Sequence, residues 1–494
     1  MVETVSIHNQ NLTLVDKLAC KSTLDTLSDS NTIYDNKDCK SENSSNSLEL
    51  GLKNFELDKE EINIKRLGEI SAIENYVNNT NDIDPFFVVD LSSVANQYMK
   101  WRANLPRFTP FYAVKCNNDK NVIRTLISLG TSFDCASLEE IKTVLDFGVS
   151  PKKIIYANPC KAPHMIKFAA ENGITRMTFD NAEELFKVKD LHPNAEMVIR
   201  IHVDDSKSIC QFGVKFGVRL GNTKPLLELA SKLGLKVVGV SFHVGSGCCD
   251  SSAYADAIKR ARNVFDEAKL LGFDFSLLDI GGGFPGLCGP QNGVKIEFEE
   301  IASVINESLD QCFGDLKDIE LIAEPGRYFT ASAFSLVANI TSRRTIETQE
   351  GTNFMYYVND GVYGSFNCLI FDHANIAYPR FLVKNNSTGV FSHTTVEDMN
   401  TGLFNCSMWG PTCDSMDCLT KSMQLPKMNP GDWLIFDNMG AYTLVAASRF
   451  NGMNKSTALY LVPEETGLRL TPEYEAPLLP NLRNSLMSQG MIYS

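Results

Sequence analysis

The chain has 494 residues, 44% of them hydrophobic, which is enough for a large core and more than one domain. Its formal net charge is −14 with no basic block, which argues against binding to nucleic acid or an anionic membrane and fits a small-molecule ligand. The 14 cysteines are irregularly spaced without a CxxC pair, so we expect reduced thiols and a cytoplasmic location.

The N-terminal part of the chain differs in texture from the rest. Residues 1–55 are rich in Ser, Asn, Asp and Lys, and we expect a disordered extension because they bury too little apolar surface. Residues 56–84 are mixed and are expected to join another domain. The start, MVETVSIHNQ, lacks a signal-peptide pattern, and no apolar run approaches the ~20 residues that a membrane helix requires.

Between about residues 85 and 330, short apolar runs alternate with stretches of helical period and glycine-containing turns. This alternation is typical of βα units around a parallel sheet. Eight of the runs share a second feature, because each is followed directly by a polar residue or a glycine. The eight closing residues are Lys115, Asp134, Asn158, Asp180, Arg200, His243, Gly281 and Glu324.

Eight such units predict an α/β fold, a (β/α)8 barrel of the TIM type over residues 85–332, with its chemistry at the C-terminal strand ends. A doubly wound sheet is the alternative, but it requires a phosphate loop after its first strand, and FFVVDLSSVAN offers none. Beyond about residue 335 the helical period fades. Strand-like runs separated by turns then predict a second, mostly β domain over 333–468, followed by a loose tail over 469–494.

Two features at predicted strand ends suit a carbonyl compound that carries a phosphate. In a partly dry pocket Lys115 can have a lowered pKa and form a Schiff base with an aldehyde; the alternative is an ordinary exposed lysine. In DIGGGFPG, residues 279–286, the glycines Gly281, Gly282 and Gly283 let backbone N–H groups approach an anion. The stretch is neither a dinucleotide fingerprint nor a P-loop, so it indicates a monophosphate cradle or a simple tight turn.

Two further motifs complete a pattern. In AEPGRYF, Arg327 can bind phosphate bidentately and Glu324 can keep a ring nitrogen protonated, unless the two form a plain surface ion pair. In SFHVGSG, His243 can stack on an aromatic ring and the Ser246 turn can donate to phosphate, although a lone histidine is more often structural. The seven histidines lie too far apart for a metal site, and we expect none. With Lys115 for the carbonyl, these groups together match one cofactor, pyridoxal 5′-phosphate (PLP).

Longer motifs extend this pattern over most of the chain. PFYAVKCN, FDCAS, YANPCK, VKFG, SFHVGSGC, LDIGGGFPG, AEPGRY, YVNDGVYGSFNC, WGPTCD and GDWLIFDNMGAYT occur in this order between about residues 85 and 460. In these stretches the sequence resembles the eukaryotic ornithine decarboxylases, which belong to the alanine-racemase-like PLP barrel class. The resemblance implies PLP-dependent decarboxylation of L-ornithine to putrescine and CO2, the first step of polyamine biosynthesis.

The resemblance also implies a role for each candidate residue. Lys115 would be the Schiff-base lysine, Glu324 would pair with the pyridinium nitrogen, and His243 would stack on the ring. The phosphate would be held by Ser246, Gly283, Arg327 and Tyr442, with Asp134, Glu140 and Arg200 lining the site beside the lysine and Gly281 and Gly282 completing the set.

Members of this family are head-to-tail homodimers with active sites built across the interface. Cys413 and Asp414 would therefore reach into the partner's barrel mouth. There Cys413 would help to reprotonate the carbanion after CO2 leaves, and Asp414 with Asp372 would hold the distal ammonium of the substrate. The remaining expected contacts are Phe450 in the pocket wall and an intersubunit ion pair of Lys215 with Asp417.

Two positions depart from the family pattern, since Phe371 and Phe329 stand where tyrosine is expected. Three alternatives remain open: an inactive homologue that binds the regulatory protein antizyme, a decarboxylase acting mainly on lysine, and one acting on arginine or diaminopimelate. Diaminopimelate is disfavoured because Asp372 and Asp414 would meet its distal carboxylate. Antizyme binding is itself a family expectation, and residues 151–172 with Lys152, Lys153, Lys161 and Lys167 are the candidate stretch.

Overall fold

The computed structural model describes residues 59–286, 296–349, 351–399, 401–464 and 467–476. The described chain begins with helix α1 (Lys59–Asn79), strand β1 (Phe86–Val89) and helix α2 (Leu91–Asn104). The predicted disordered extension, residues 1–55, lies outside the described residues. Within the described part, no helix is both long enough and apolar enough to cross a membrane.

A closed barrel of eight parallel strands forms the larger part of the described chain, and it confirms the predicted (β/α)8 fold. Each strand is one of the eight runs singled out in the sequence. Their bounds are Thr109–Ala113 (β2), Ser132–Cys135 (β3), Ile154–Tyr156 (β4), Arg176–Phe179 (β5), Glu196–Arg200 (β6), Lys236–Ser241 (β8), Leu277–Asp279 (β10) and Glu320–Ala323 (β11).

Helices follow the barrel strands and pack around them. The turn after β2 illustrates the local signals: Asp119 accepts hydrogen bonds from the backbone N–H groups of Asn121 and Val122, and Gly130 ends the same helix with φ at 88°. One buried cluster of apolar side chains from the barrel strands consists of Phe111, Ile155, Val198, Val238, Leu277 and Ile322. The helices are Lys120–Leu129 (α3), Leu138–Asp146 (α4), Pro163–Glu171 (α5), Ala182–Leu191 (α6), Thr223–Lys232 (α7), Ser252–Leu270 (α8) and Phe298–Phe313 (α9).

A separate two-stranded antiparallel sheet forms where strand Ser208–Cys210 (β7) pairs with strand Ser246–Cys248 (β9). These short strands were not predicted. They bring the loop after β6 beside the loop after β8, and both loops carry predicted site residues. The remaining α-helical pieces of the described chain are single turns at Arg327–Thr330 (α10), Cys368–Phe371 (α11) and Val396–Met399 (α12).

The second domain is a ten-stranded, mostly antiparallel sheet within the described residues, as predicted from the strand-like runs. Its strands after the barrel are Phe334–Thr348 (β12), Gly351–Val358 (β13), Arg380–Lys384 (β14), Phe391–Thr394 (β15), Leu403–Trp409 (β16), Cys418–Pro426 (β17), Trp433–Phe436 (β18), Thr457–Glu464 (β19) and Gly467–Thr471 (β20).

The domain boundaries differ from the sequence prediction at both ends. Strand β1 falls inside the predicted barrel segment 85–332, yet it pairs antiparallel with β12 and parallel with β19 in the second sheet. The predicted tail, 469–494, begins inside β20, and Ala476 is buried and accepts a hydrogen bond from Arg124. Helix α1 buries Ile73 against this sheet, in line with the expectation that residues 56–84 join the β domain.

Candidate active site

An ion pair between Lys115 and Asp134 occupies the C-terminal mouth of the barrel. Lys115 lies in a single 3-10 turn directly after β2, and Asp134 is in β3, so parallel pairing of the two strands brings the side chains together. Lys115 Nζ donates to Asp134 Oδ2. The Asp134 side chain is fully buried whereas that of Lys115 is 36% exposed, so the amine is the accessible member of the pair.

Two further carboxyl groups lie beside this pair. Asp279 ends β10, and its Oδ1 accepts a hydrogen bond of 2.9 Å from the backbone N–H of Gly281. Burial raises the pKa of Asp279 to about 7, although the Gly281 hydrogen bond opposes the shift. Burial, followed by the charges of Asp279 and Asp134, raises the pKa of Glu324 well above its usual value. Burial therefore favours the protonated form of Asp279 and of Glu324 more than solvent would.

Glu324 has an unused acceptor. Its Oε1 is buried and has no hydrogen-bond partner among the described residues. A buried carboxyl oxygen without a donor is costly, and such exceptions concentrate at ligand sites. A protonated ring nitrogen placed beside Glu324 would supply the missing donor and a positive charge next to this carboxyl group.

The acidic cluster changes the expected behaviour of Lys115. From the sequence, a partly dry pocket is expected to lower the pKa of Lys115. Burial does act in that direction, but Asp134 and then Glu324 outweigh it and raise the pKa above the ordinary value. The prediction of a lowered pKa is therefore wrong for the protein without a ligand, because the same pocket also buries carboxylates that stabilise the charged amine.

Arg200 and Glu140 line the same cavity from β6 and α4. Burial lowers the pKa of Arg200, opposed first by Glu324, and its guanidinium lies 5.1 Å from the ring centre of Phe216. Glu140 Oε2 accepts a 2.6 Å hydrogen bond from Ala136 N, and Ser137 Oγ accepts from Glu140 N. Glu140 thus closes the start of α4 in a capping arrangement while facing the lysine side of the site.

His243 is held as a neutral imidazole beyond the end of β8. Its Nδ1 accepts a 3.0 Å hydrogen bond from Gly245 N, which leaves the proton on Nε2. Burial, then the nearby charges of Arg200 and Lys115, lowers its pKa well below the usual range. The ring of Phe212 meets the imidazole edge to face at 4.9 Å between centroids. The contacts with Gly245 and Phe212 therefore fix the orientation of the imidazole ring.

Arg327 is buried among Ser246, Asp372 and Tyr442. Its Nη2 donates to Ser246 Oγ at 3.0 Å and to Asp372 Oδ1 at 2.6 Å, and its guanidinium lies 5.1 Å from the ring centre of Tyr442. Its Nε is buried without a partner among the described residues. Tyr442 comes from the β domain, where its backbone N–H donates to Cys116 O beside the lysine. A buried cation with a spare donor fits a phosphate.

The glycine loop after β10 requires glycine for steric reasons. Gly281 and Gly283 have φ values of 63° and 102°, which other residues rarely adopt. A Cβ atom on Gly282 would lie 2.8 Å from His243 Nε2, and one on Gly283 would lie 2.7 Å from Gly245 O. The loop therefore lies directly against the histidine and the Ser246 turn, as the phosphate-cradle interpretation requires.

The predicted substrate residues separate into two groups. Asp372 is buried beside Arg327, and the thiol of Cys210 lies 3.7 Å from its Oδ1. Cys413 is exposed in the loop after β16, and its backbone N–H donates to Asn451 at 3.1 Å. Asp414 accepts hydrogen bonds from Tyr363 Oη and from Met416 N, so its described partners all belong to the β domain.

Phe450 lies beside the Cys413 loop and is 44% exposed, and its ring packs at a tilt against Tyr363 with 4.4 Å between the ring centres. Lys215 is exposed, with its Nζ 5.0 Å from the Phe216 ring centre, whereas Asp417 is buried. The Lys215–Asp417 ion pair between subunits stays a prediction. Of the two departures from the family pattern, Phe371 is 69% exposed and Phe329 is buried in an aromatic cluster.

Lys161 does not fit the predicted antizyme stretch. Its side chain is fully buried, its Nζ lies 2.7 Å from Glu184 Oε1, and it also donates to Thr178 O. Including this lysine as a docking contact was therefore wrong, because its ammonium holds the ends of β4 and β5 together. Lys152 and Lys167 in the same stretch are exposed.

Sequence reasoning missed Asp279, Phe212 and Tyr363. Asp279 lies two residues before Gly281, the closing residue of its run, inside a motif that was already singled out. Phe212 and Tyr363 lie in loops, where no periodicity indicates which side chain turns toward the site.

The fold and this pocket are those of the PLP-binding (β/α)8 barrel enzymes. The orphaned Glu324 Oε1, the spare Arg327 donor and the glycine cradle fit that cofactor. The family model for the pyridoxal-dependent decarboxylase, pyridoxal binding domain, matches residues 91–331. Antizyme inhibitor 2 of Xenopus laevis is 48% identical over 428 residues, 83% of this chain and 90% of that protein. Ornithine decarboxylase of Mus musculus is 46% identical over 399 residues, 78% and 83% of the two chains.

A solved structure agrees with these relatives. The crystal structure of the arginine decarboxylase of Paramecium bursaria Chlorella virus superposes with a TM-score of 0.72 at 33% identity, covering 79% of this chain and 99% of that one. The chain belongs to the ornithine decarboxylase family of PLP-dependent decarboxylases, as its motifs indicated, and PLP is its cofactor.

Proposed function

We propose that the protein decarboxylates L-ornithine to putrescine and CO2, the first step of polyamine biosynthesis. The observation that carries the proposal is the buried, unpartnered Oε1 of Glu324 beside the Lys115–Asp134 pair. A decarboxylase must stabilise the electron pair left on the α-carbon, and a ring nitrogen kept protonated by Glu324 does so. When bound, PLP supplies this protonated ring and takes up those electrons.

The barrel residues would hold and orient that group. Lys115 would anchor its aldehyde, and Asp134 keeps the amine at the barrel mouth. Glu324 Oε1 would hold the proton of the ring nitrogen, and the neutral imidazole of His243 would cover one ring face. Arg327 would bind the phosphate together with Ser246, Gly281, Gly282, Gly283 and Tyr442, while Glu140 and Arg200 complete the lining.

Two carboxylates would select a substrate with a distal ammonium. Asp372 shares the Arg327 guanidinium, so a phosphate that takes up Arg327 donors leaves an Asp372 oxygen for the substrate. Hydrogen bonds from Met416 N and then Tyr363 lower the pKa of Asp414, which keeps its carboxylate charged. A distal carboxylate, as in diaminopimelate, would meet like charges at this end of the substrate.

We further propose a homodimer with shared active sites. Cys413, Asp414 and Phe450 lie on one face of the β domain with at least part of each side chain accessible. In a head-to-tail dimer this face would close the partner's barrel mouth, where Cys413 would return a proton to the α-carbon. The free thiols of the described cysteines support a cytoplasmic location.

A second candidate function is an inactive homologue that binds antizyme, favoured by the similarity to antizyme inhibitor 2. The intact Lys115, Asp134, Glu324 and Arg327 cluster supports the enzyme, because a protein that only docks does not need these buried charges. A lysine-directed enzyme is a third candidate, since one methylene changes binding by only ~1–3 kcal/mol.

The deciding experiment measures CO2 release from L-ornithine, L-lysine and L-arginine, with and without added PLP. We expect ornithine to be the best substrate and Lys115→Ala to lose at least about 1,000-fold in kcat, because the cofactor's anchor is removed. Lys152→Ala, an exposed lysine outside the site, is the matched control and should behave as wild type. No turnover by PLP-loaded wild type would favour the antizyme-binding candidate, and faster release from lysine would favour the third.

A further inference from the structure

Tyr254 is a fully buried tyrosine that contacts the glycine loop after β10. It lies in the first turn of α8, and none of its surface is exposed. Its hydroxyl donates a hydrogen bond of 3.1 Å to the carbonyl oxygen of Gly282, a residue that is itself buried. A buried carbonyl needs a donor, so this hydroxyl determines the direction in which the Gly282 carbonyl points.

The direction of this carbonyl also sets the direction of the next N–H group. A trans peptide bond is planar and holds its C=O and N–H on opposite sides, and the described chain contains no cis bond. The Gly283 N–H group therefore points away from Tyr254. It has no hydrogen-bond acceptor among the described residues, and neither do the N–H groups of Gly282 and Phe284. Successive N–H groups of this kind form a site for an anion.

The hydroxyl fits tightly against the loop. A Cβ atom on Gly283 would lie 2.9 Å from Tyr254 Oη and 2.7 Å from Gly245 O. Gly283 has a φ of 102°, so only glycine adopts this conformation readily. The loop has no room to move toward α8, and rotation of the 282–283 peptide is the movement that the hydrogen bond opposes.

The tyrosine ring contacts the residue that follows the glycines. Phe284 packs against it with 5.3 Å between the ring centres, and Trp101 meets Phe284 from α2 at 4.8 Å. Phe284 is 3% exposed. The hydroxyl and the ring of Tyr254 therefore hold neighbouring parts of the same loop.

Tyr254 belongs to the same short segment as Ser246. Ser246 is in β9 and accepts a hydrogen bond from Arg327 at 3.0 Å. Asp250 fixes the connection from β9 to α8, because its Oδ1 accepts from Ser252 N at 2.9 Å and from Ser252 Oγ at 2.6 Å. The support of the glycine loop and the hydroxyl beside Arg327 are thus placed by one connection.

We propose that Tyr254 is a positioning residue for the phosphate of PLP, because its bond to Gly282 O keeps the Gly283 N–H group directed toward the anion. The proposal rests on the proposed phosphate site of Ser246, Arg327 and the glycine loop, but not on which amino acid is decarboxylated. The alternative is an ordinary core tyrosine whose hydroxyl only satisfies a buried carbonyl.

Titration of the PLP-free full chain with PLP and with pyridoxal separates these two roles. Both compounds carry the ring and the aldehyde, and only PLP carries the phosphate. Tyr254→Phe removes the hydroxyl alone. We expect the PLP Kd to weaken about 5- to 20-fold and the pyridoxal Kd to change by less than about twofold. An unchanged PLP Kd, or an equal weakening for both compounds, would overturn the proposal.

Tyr356→Phe is the matched control. Tyr356 is a fully buried tyrosine of the β domain whose hydroxyl donates to Pro426 O at 3.1 Å. The same oxygen is removed from a bond of the same length, so a comparable loss of stability is expected with both Kd values unchanged. A loss confined to PLP in this variant would show that such a loss does not report on the glycine loop, and it would contradict the proposal.

Ser246→Ala tests the phosphate site itself and should also weaken PLP binding without affecting pyridoxal. If it does so while Tyr254→Phe does not, the phosphate site is correct and the positioning role of Tyr254 is wrong. If neither variant distinguishes PLP from pyridoxal, the proposed phosphate site fails and the role of Tyr254 fails with it.

Phosphorus NMR of bound PLP provides a readout that a purely structural role would not change. At saturating PLP, the resonance of Tyr254→Phe should differ from that of wild type, because the phosphate loses a fixed N–H donor. The resonance of Tyr356→Phe should coincide with wild type. Identical resonances in wild type and Tyr254→Phe would mean that the hydroxyl does not act on the phosphate.

A second variant covers the case in which Tyr254→Phe does not fold. Phe284→Leu removes the ring contact and leaves the tyrosine hydroxyl in place. We expect the PLP Kd to weaken about two- to fivefold, with the pyridoxal Kd unchanged. Equal weakening for the two compounds would count against the proposal.

Discussion

The barrel half and the β-domain half of the candidate site are built in opposite ways. In the barrel, Lys115, Asp134 and Glu324 share a pocket where carboxyl groups are buried and their pKa values are strongly shifted. On the β domain, Cys413 and Asp414 lie on a surface within loops. The barrel half contains the groups that can hold a charged ring. The β-domain half presents a thiol and a carboxylate but has no cofactor-binding groups beside them.

This contrast indicates a division of labour. Burying a charge is unfavourable because the charge loses its hydration, and buried charges are retained where a ligand or a partner offsets this loss. The buried charges of the barrel therefore fit cofactor binding. Exposed groups on loops remain hydrated, so placing them there has little effect on the stability of the fold. They complete a site only when another surface covers them. Cofactor affinity should therefore depend on the barrel alone, and turnover should depend on both halves.

The largest expected effect tests the barrel half. Glu324→Ala should lower kcat by at least about 1,000-fold. Without this carboxylate the ring nitrogen would lose its proton, and the unprotonated ring would accept the electrons of the broken bond poorly. Ser246→Ala, which removes one hydroxyl beside Arg327, should weaken the PLP Kd by only about tenfold. Steady-state kinetics and a PLP titration of both variants provide the measurement. Similar losses of kcat in the two would mean that the acidic cluster has no special role.

The next effect tests the β-domain half. Cys413→Ala should lower kcat by about 10- to 100-fold while the PLP Kd stays unchanged, because a thiol that donates a proton does not hold the cofactor. Cys160→Ala, another exposed thiol far along the chain, is the control. Mixing Cys413→Ala with Lys115→Ala subunits should restore about a quarter of wild-type activity if each site takes its lysine and its thiol from different subunits. No recovery on mixing would place both groups in the same subunit's site.

A pH experiment on the PLP-free protein sharpens the electrostatic side of the comparison. Burial raises the pKa of Asp279 to about 7, above its value in the unfolded chain. The folded state then binds a proton more tightly than the unfolded one, so this group's contribution is fully present below about pH 4 and is lost as the pH rises through about 7. The free energy of unfolding should fall by on the order of 1–3 kcal/mol more in wild type than in Asp279→Asn over this range. Parallel curves for the two proteins would contradict the assignment.

The smallest expected effect concerns the support of His243. Phe212→Leu removes the edge-to-face contact at 4.9 Å, and an aromatic pair contributes about 0.5–1.5 kcal/mol. The PLP Kd should weaken by about two- to tenfold, since the imidazole would be free to turn. Phe404→Leu breaks a similar ring pair with Phe354 in the β domain and should leave the PLP Kd unchanged. Equal shifts in the two variants would indicate a loss of general stability.

The sequence predicted the barrel well because a single physical signal repeats. Each buried strand is a short apolar run, and the residue that follows it lies at the chemically active edge, so Lys115, His243 and Glu324 could be placed together before any contact was known. The same signal misplaced β1. A four-residue run such as FFVV is equally suited to a barrel strand and to the middle of another sheet, and only its pairing with β12 and β19 distinguishes them.

The remaining errors concern charge and burial in three dimensions. The pKa of Lys115 depends on Glu324, about 200 residues further along the chain, as well as on Asp134, and the net effect could not be derived from the lysine's own strand. Lys161 looked like a surface cation in a lysine-rich stretch, yet Glu184 neutralises it inside the protein.

The position of β1 has a consequence for how the molecule can be assembled. The strand sits between β12 and β19 in the sheet, so the barrel is an insertion between the first strand of the second domain and all its others. During translation, β1 and the entire barrel are synthesised before β12 and β19, the two strands that flank β1 in the sheet. Both neighbours of β1 are present only after residues 457–464 have been synthesised. A fragment spanning residues 91–331 should accordingly fold without help, whereas one beginning at residue 333 would lack its central strand and expose two unsatisfied edges to aggregation.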